Sequence, residues 1–468
     1  MLFNSFYFLL FFPLVTILYF LLPHKFRWLH LLVASCIFYC FFIPEYLIIL
    51  FVTILIDYFA AIHIEKTEGK KRKALLWVSV IATLLVLVLF KYFNFFGSNF
   101  NQVAHFFQLN YSAPALDIIL PIGLSFHTFQ SLSYVIEVYR GRQKAEKHFG
   151  IYSLYVMFYP QLVAGPIERA KNILPQLREK HNFKYDDAVY GLKKIAWGLF
   201  KKVVIADRLG LYVNAVYNNS DQHNGSSLLL ASLFGAFQIY CDFSGYSDIA
   251  IGSARVLGIK LMTNFKRPFF AQSIGEFWRR WHISLSMWFR DYVFVSLPGN
   301  KTSSARRYFN LFITFVLSGF WHGANWTFVI WGGINGIYLI VGQVFFKTTK
   351  AASNAFTKMI NILTTFFLFC LSGVFFRSSS VEQAISIFKK MLFEQGQIFS
   401  GGNKNSTAIA LLLVLLAAEA VDEFKSLQPF GVMNSRYVFV RSIGYVSLTI
   451  LILMFGVFDS SEFIYFQF

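Results

Sequence analysis

The stretch Leu317-Ser318-Gly319-Phe320-Trp321-His322-Gly323-Ala324-Asn325-Trp326 decides the class of this chain. It lies inside residues 311–340, a run without a single Asp, Glu, Lys or Arg, which is sequence of membrane depth. An imidazole there loses water contacts worth several kcal/mol, roughly, unless another group or a wet cavity receives it. His322 is therefore a candidate functional residue from the outset.

The composition agrees with a membrane setting. Of 468 residues, 56% are hydrophobic, 19% aromatic and only 14% charged, with a mean hydropathy of +0.53. Soluble domains carry about 25% charged residues. The net charge of +18 would suit nucleic acid, but the basic residues cluster in short loops between apolar segments. That distribution is the signature of topology determinants, and it excludes a nucleic-acid partner. Cys36, Cys40, Cys241 and Cys370 all lie in apolar sequence without CxxC spacing, so they read as core fillers. The first apolar segment, 3–22, is too long for a signal-peptide core and reads as a span.

Candidate spans are 3–22, 28–42, 46–62, 75–93, 118–139, 203–217, 228–251, 308–320, 326–346, 360–376, 407–421 and 438–457. The fold expected is all-α and polytopic, about 10–12 transmembrane helices in a single domain over 1–468. The basic runs 66–73, 140–147 and 193–202 are expected on the cytoplasmic side. Stretches 97–117 and 218–227 lack Lys and Arg, and the tail after 458 is acidic, so these are expected outside, with both termini extracytoplasmic. Two apolar regions do not read as spans. Residues 151–166 are broken by Pro160 and Gly165-Pro166, and 269–297 hold Glu276, Arg279, Arg280, His282, Arg290 and Asp291. Both are expected to be re-entrant, since such backbone survives at membrane depth only inside protein or beside water. Residues 380–393 suit an interfacial helix.

Two histidines, each preceded by tryptophan, could carry chemistry: Trp281-His282 and Trp321-His322. His322 can act as a general base toward an acceptor hydroxyl, or simply bond across helices. Asn325, three residues on, is expected on the same helical face, where it would orient the ring or polarise a carbonyl. Glu276 and Arg280 are spaced to pair on one helical face. Arg279, Arg280 and Trp281 read either as a cationic mouth for an anionic, phosphate-bearing donor or as an interfacial anchor. Asp242 and Asp248 read more readily as structural acceptors, from Arg279 or Arg280, than as a proton relay. His127 reads as a packed, bonded helix histidine. In the aromatic tail Phe463-Ile464-Tyr465-Phe466-Gln467-Phe468, Tyr465 offers a phenol able to hold an acyl ester, on a chain end expected outside and free to move. No HExxH, Walker, GxSxG or GxGxxG pattern is present, and no metal site is expected.

These residues carry a family resemblance. Asn264-Phe265-Lys266-Arg267-Pro268-Phe269, then Ser273-Ile274-Gly275-Glu276-Phe277-Trp278-Arg279-Arg280-Trp281-His282-Ile283-Ser284-Leu285-Ser286, then Trp288 and Arg290-Asp291-Tyr292, resemble the signature of membrane-bound O-acyltransferases. The stretch 317–324 is similar to the second family signature, and segments around 121–134, 159–166 and 240–252 extend the likeness. It is nearest to the bacterial branch that acetylates alginate and other envelope polysaccharides, related to the teichoic acid D-alanylation membrane protein. Where the family runs Ile-Pro-Leu-Gly-Gly, this chain has Val295-Ser296-Leu297-Pro298-Gly299. The resemblance implies helices enclosing a transbilayer tunnel in the bacterial cytoplasmic membrane. It implies His322 as catalytic histidine and His282 as the second motif histidine. An acyl thioester such as acetyl-CoA would be a cytoplasmic donor substrate, not a bound cofactor. An SGNH-type acetyltransferase would be the extracytoplasmic partner, and Tyr465 would act as acyl relay. A transporter or flippase remains the rival reading, and it predicts movement without a covalent acyl-protein. A structural scaffold for a secreted enzyme is a third, and it predicts that both motif histidines tolerate substitution.

Overall fold

A computed structural model describes residues 1–109, 111–117, 120–299, 303–345, 354–400, 404–424, 431–458 and 463–464. The described chain is helical, with no strand. Among the described residues every expected span falls wholly or largely on helix, and six helices are long and apolar enough to cross a membrane: Tyr46–Lys66, Gly69–Phe106, Gly225–Val256, Trp326–Phe345, Ala355–Arg377 and Val438–Phe455. The other expected spans are helices that are shorter, less apolar or more charged, such as Phe6–Leu21 at 16 residues and His24–Cys40 at 17. The chain divides into two compact units, Met1–Gly191 with Ser253–Met262, and Leu192–Gly252 with Thr263–Phe468.

In the first unit the expected re-entrant region is a broken helix, Phe149–Met157 followed by Tyr159–Leu162. Pro160 lacks an N–H and opens the second piece, so the helical ladder stops at Phe158. Residues 150–168 are all buried, and the groups freed by the break are received inside the protein. The Tyr159 N–H donates to Ser35 Oγ at 3.0 Å, and the Tyr155 carbonyl accepts from the side-chain amides of Gln130 and Gln161 at 2.5 and 2.7 Å. His127 is buried against Thr53, with Nε2 3.3 Å from its hydroxyl, so it is the packed helix histidine expected. The buried carboxylate of Asp57 accepts from Ser79 and Thr83 at 2.6 and 3.0 Å.

In the second unit, Ser304–His322 and Trp326–Phe345 pack as a tight antiparallel pair. Glycines allow it. A Cβ on Gly319 would stand 2.2 Å from the Phe328 carbonyl oxygen, and one on Gly332 would stand 2.3 Å from that of Phe315. The basic run 193–202, expected as a cytoplasmic loop, is instead helical and leads into a π-helical turn, Phe200–Ala206. Lys201 and Lys202 are buried there because aspartates elsewhere in the fold receive them: Lys202 by Asp207 and Asp242 at 2.7 and 2.6 Å, Lys201 by Asp248 at 2.6 Å. Lys194 also reaches Asp248, at 2.7 Å. The partners of Asp242 and Asp248 are thus lysines, not the arginines expected. Residues 380–393 form the amphipathic helix Val381–Phe393, with Ala384 and Ile387 buried and Leu392 and Phe393 exposed.

The glycine contact yields a prediction. Gly319→Ala forces two helix backbones apart and should cost about 1–3 kcal/mol of stability, read as a lower unfolding midpoint in detergent. Gly342→Ala, where an added Cβ meets nothing within 4 Å, should leave the midpoint unchanged or raise it.

Candidate active site

The sequence around His282 reads as two half-helices, and the structure shows Ile274–Arg280 and Ile283–Trp288 separated by a kink. His282 sits at the kink with φ 41° and ψ 54°, left-handed backbone that a side chain pays about 1–3 kcal/mol to adopt. Asn264 holds it there. Its backbone carbonyl accepts the Ile283 N–H at 2.9 Å, and its side-chain oxygen accepts the Ser284 N–H at 3.2 Å and the Ser284 hydroxyl at 2.9 Å. The Ser284 N–H identifies that atom as the amide oxygen, which can only accept. His282 Nδ1, 3.2 Å away, is therefore the protonated nitrogen of the neutral ring, and Nε2 carries the lone pair. Aromatic rings complete the socket, Phe243 edge-on at 4.5 Å and Phe265 stacked at 6.2 Å.

His322 is the last residue of its helix. Gly323 follows in extended conformation, and a Cβ there would lie 2.1 Å from the Phe328 ring, so only glycine lets that ring close on the chain. Trp331 and Phe376 pack edge-on against the imidazole at 5.2 and 5.5 Å. The His282 and His322 rings, both buried, stand 6.4 Å apart between centroids, within reach of one small reacting group. The fold brings them together across forty positions of sequence.

Beside them lies a cavity of about 40 Å³, walled by Trp281, Trp331, Phe369 and Phe376, with Gln238 and Arg377 as polar members. Arg377 donates to Asn214 at 2.7 Å. Ile464 also lines the cavity. Phe463 and Ile464, the two described residues of the tail, therefore depart from the expectation of a free chain end. Phe463 and Ile464 are buried in the second unit, Phe463 against Tyr246 and Phe243 at 4.8 and 5.6 Å, because aromatic burial ties the segment down. Tyr465 itself lies outside the described residues.

Three other expectations are sorted by the geometry. Asn325 does not share a helix face with His322, since the helix ends first; it caps the next helix, accepting the Thr327 N–H at 3.0 Å and donating to the Ser379 carbonyl at 2.9 Å. Arg280 pairs with Glu276 at 2.6 Å as its spacing implies, and also with Glu423 at 2.9 Å, so its charge is already balanced. Arg279 is exposed, and Trp281 lines the cavity.

Residues 148–381, which hold both histidines, match the model of the MBOAT, membrane-bound O-acyltransferase family. The chain belongs to this family. It is 36% identical to the probable alginate O-acetylase of Pseudomonas aeruginosa over 89% of this chain and 80% of that protein. It is 36% identical to the peptidoglycan O-acetyltransferase of Helicobacter pylori, over 78% of this chain and 73% of the other. A teichoic acid D-alanyltransferase of Bacillus subtilis is 29% identical over 64% of this chain and 76% of that protein. The protein is a multi-pass membrane O-acyltransferase. Within this acyltransferase Asn264 is the residue whose part the sequence did not disclose. It opens the first signature, but only the fold turns its amide onto His282 and Ser284.

Asn264→Leu keeps the volume and removes the acceptor shared by His282 and Ser284. Leaving buried donors unmet costs about 1–3 kcal/mol, so acyl transfer should fall at least about tenfold, with protein abundance in the membrane as the control. Ser284→Ala, which leaves the His282 contact in place, should fall less.

Proposed function

We propose that this acyltransferase takes an acetyl group from a cytoplasmic thioester, acetyl-CoA or a similar carrier, and hands it across the membrane for O-acetylation of an extracytoplasmic polysaccharide of the alginate type. The observation that carries the reading is the pair of buried imidazoles beside a cavity of about 40 Å³. A water needs roughly 10–15 Å³ of such space, so the cavity has room for a small acyl group. The printed names of the relatives, an alginate and a peptidoglycan O-acetylating protein, support an envelope polymer as the final acceptor, with peptidoglycan as the second candidate.

His322 takes the proton of the attacking hydroxyl as the oxygen bonds to the thioester carbonyl carbon. The tetrahedral intermediate then expels the thiolate, which recovers the proton. Exchange of a thioester for an ester conserves charge and one acyl bond, so positioning and charge stabilisation supply the acceleration. His282, whose Nδ1 faces the Asn264 oxygen, serves in this reading as the partner that receives or returns a proton at the same group. Arg279 is the cation available to a phosphate-bearing donor, with Arg280 held as its structural neighbour. Tyr465 is the first acyl acceptor, its phenol forming the ester that an SGNH-type partner outside the bilayer would draw on. The cytoplasmic membrane, with both termini extracytoplasmic, is the orientation that the basic loops support.

In cells that depend on this protein, His322→Ala should reduce envelope acetyl esters about a hundredfold or more with unchanged membrane abundance; normal ester content would remove the catalytic role. Tyr465→Phe keeps the aromatic ring and deletes the acceptor oxygen. It should abolish ester export, while full activity would leave the tail as an interfacial anchor only.

A further inference from the structure

Asp242 lies on the Gly225–Val256 helix, fully inside the second unit. Its two carboxylate oxygens do different work. Oδ1 meets Lys202 Nζ at 2.6 Å, and Oδ2 accepts the backbone N–H of Ile464 at 2.8 Å. Lys202, on the π-helical turn, is itself held by Asp207, the first residue of the helix that follows, so the carboxylate that receives the tail is fixed from the opposite side. The next residue, Phe243, touches the His282 ring at 4.5 Å and the Phe463 ring at 5.6 Å. One turn of helix thus joins the tail to the motif histidine. The chain leaving the last helix is held by the π-helical turn that carries Lys202, with the Val457 N–H donating to the Val203 carbonyl at 2.9 Å. Arg208 donates to the Phe455 carbonyl at 2.6 Å. The segment that follows the last helix is therefore fastened at both Val457 and Ile464.

We propose that Asp242, backed by Lys202, is a positioning residue that seats the C-terminal segment against the transfer cavity. A charged acceptor makes a stronger bond to a backbone N–H than a neutral one. A carboxylate also offers an acceptor oxygen to each of two donors, where an amide offers only one. Asp242→Asn is nearly the same shape. Its single acceptor oxygen goes to Lys202, turning the NH2 group toward the Ile464 N–H, donor against donor, and the tail loses its seat. The inference rests on the reading of the tail as acyl acceptor.

The test is maleimide labelling of Ile464→Cys in the full-length protein in native membranes, resolved by peptide, with the buried Cys241 and Cys370 as internal references. Asp242→Asn should speed labelling at position 464 about tenfold or more and leave Cys241 and Cys370 slow. Asp207→Asn, which perturbs Lys202 without touching the tail, should leave position 464 slow. An unchanged rate in Asp242→Asn overturns the proposal. So does an increase shared by Cys241 and Cys370, since the carboxylate would then hold the core and not the tail, and so does an equal release by Asp207→Asn. Release by Asp242→Asn together with full activity of Tyr465→Phe upholds the seat and removes only the acceptor reading.

Discussion

A peptide group that leaves the helical ladder at membrane depth has no water to turn to, and in this protein buried side chains meet the breaks. In the first unit, Ser35, Gln130 and Gln161 receive the groups freed around Phe158. In the second, Asn264 receives the two amides that follow the kink at His282. The second case has a chemical consequence. The amide oxygen that makes the kink tolerable also fixes which nitrogen of the imidazole carries the proton, so the break and the orientation of the ring are one device.

Charge obeys the same constraint. The chain carries a surplus of +18, yet the cluster around Asp242 and Asp248 is balanced, with Lys194, Lys201 and Lys202 facing Asp207, Asp242 and Asp248. Buried pairs of this kind add little net stability against an apolar replacement, but removing one member strands the other. Their value lies in geometry. They bring the π-helical turn, the Gly225–Val256 helix and the C-terminal segment to one point beside the cavity.

The walls of the site are aromatic, and this suits the reaction. Trp281, Trp331, Phe369 and Phe376 give the cavity a largely apolar wall, which under the proposed function would limit the access of water to an acyl group held there. In such surroundings an imidazole is less costly to bury neutral than charged.

Local composition and motif were enough for much of this. Hydropathy located each span on a helix, Pro160 and the charged run 269–297 marked the broken segments, the Glu276–Arg280 spacing foretold its ion pair, and the two Trp-His motifs named the histidines that meet. Those features depend on nearest neighbours along the chain and on the dielectric of the bilayer, which sequence records directly. The errors came where partners are distant in sequence. Lys201 and Lys202 look like a solvated loop until Asp242 and Asp248 are brought beside them. Asn325 looks helical with His322 until Gly323 lets Phe328 end the helix, and the tail looks free until Asp242 takes the Ile464 N–H. Sequence alone thus determined a membrane-bound helical O-acyltransferase with two candidate histidines. Tertiary structure decided which charges cancel, which nitrogen of His282 faces the Asn264 oxygen and where the tail begins to dock, because each of those depends on a contact between residues that no local pattern links.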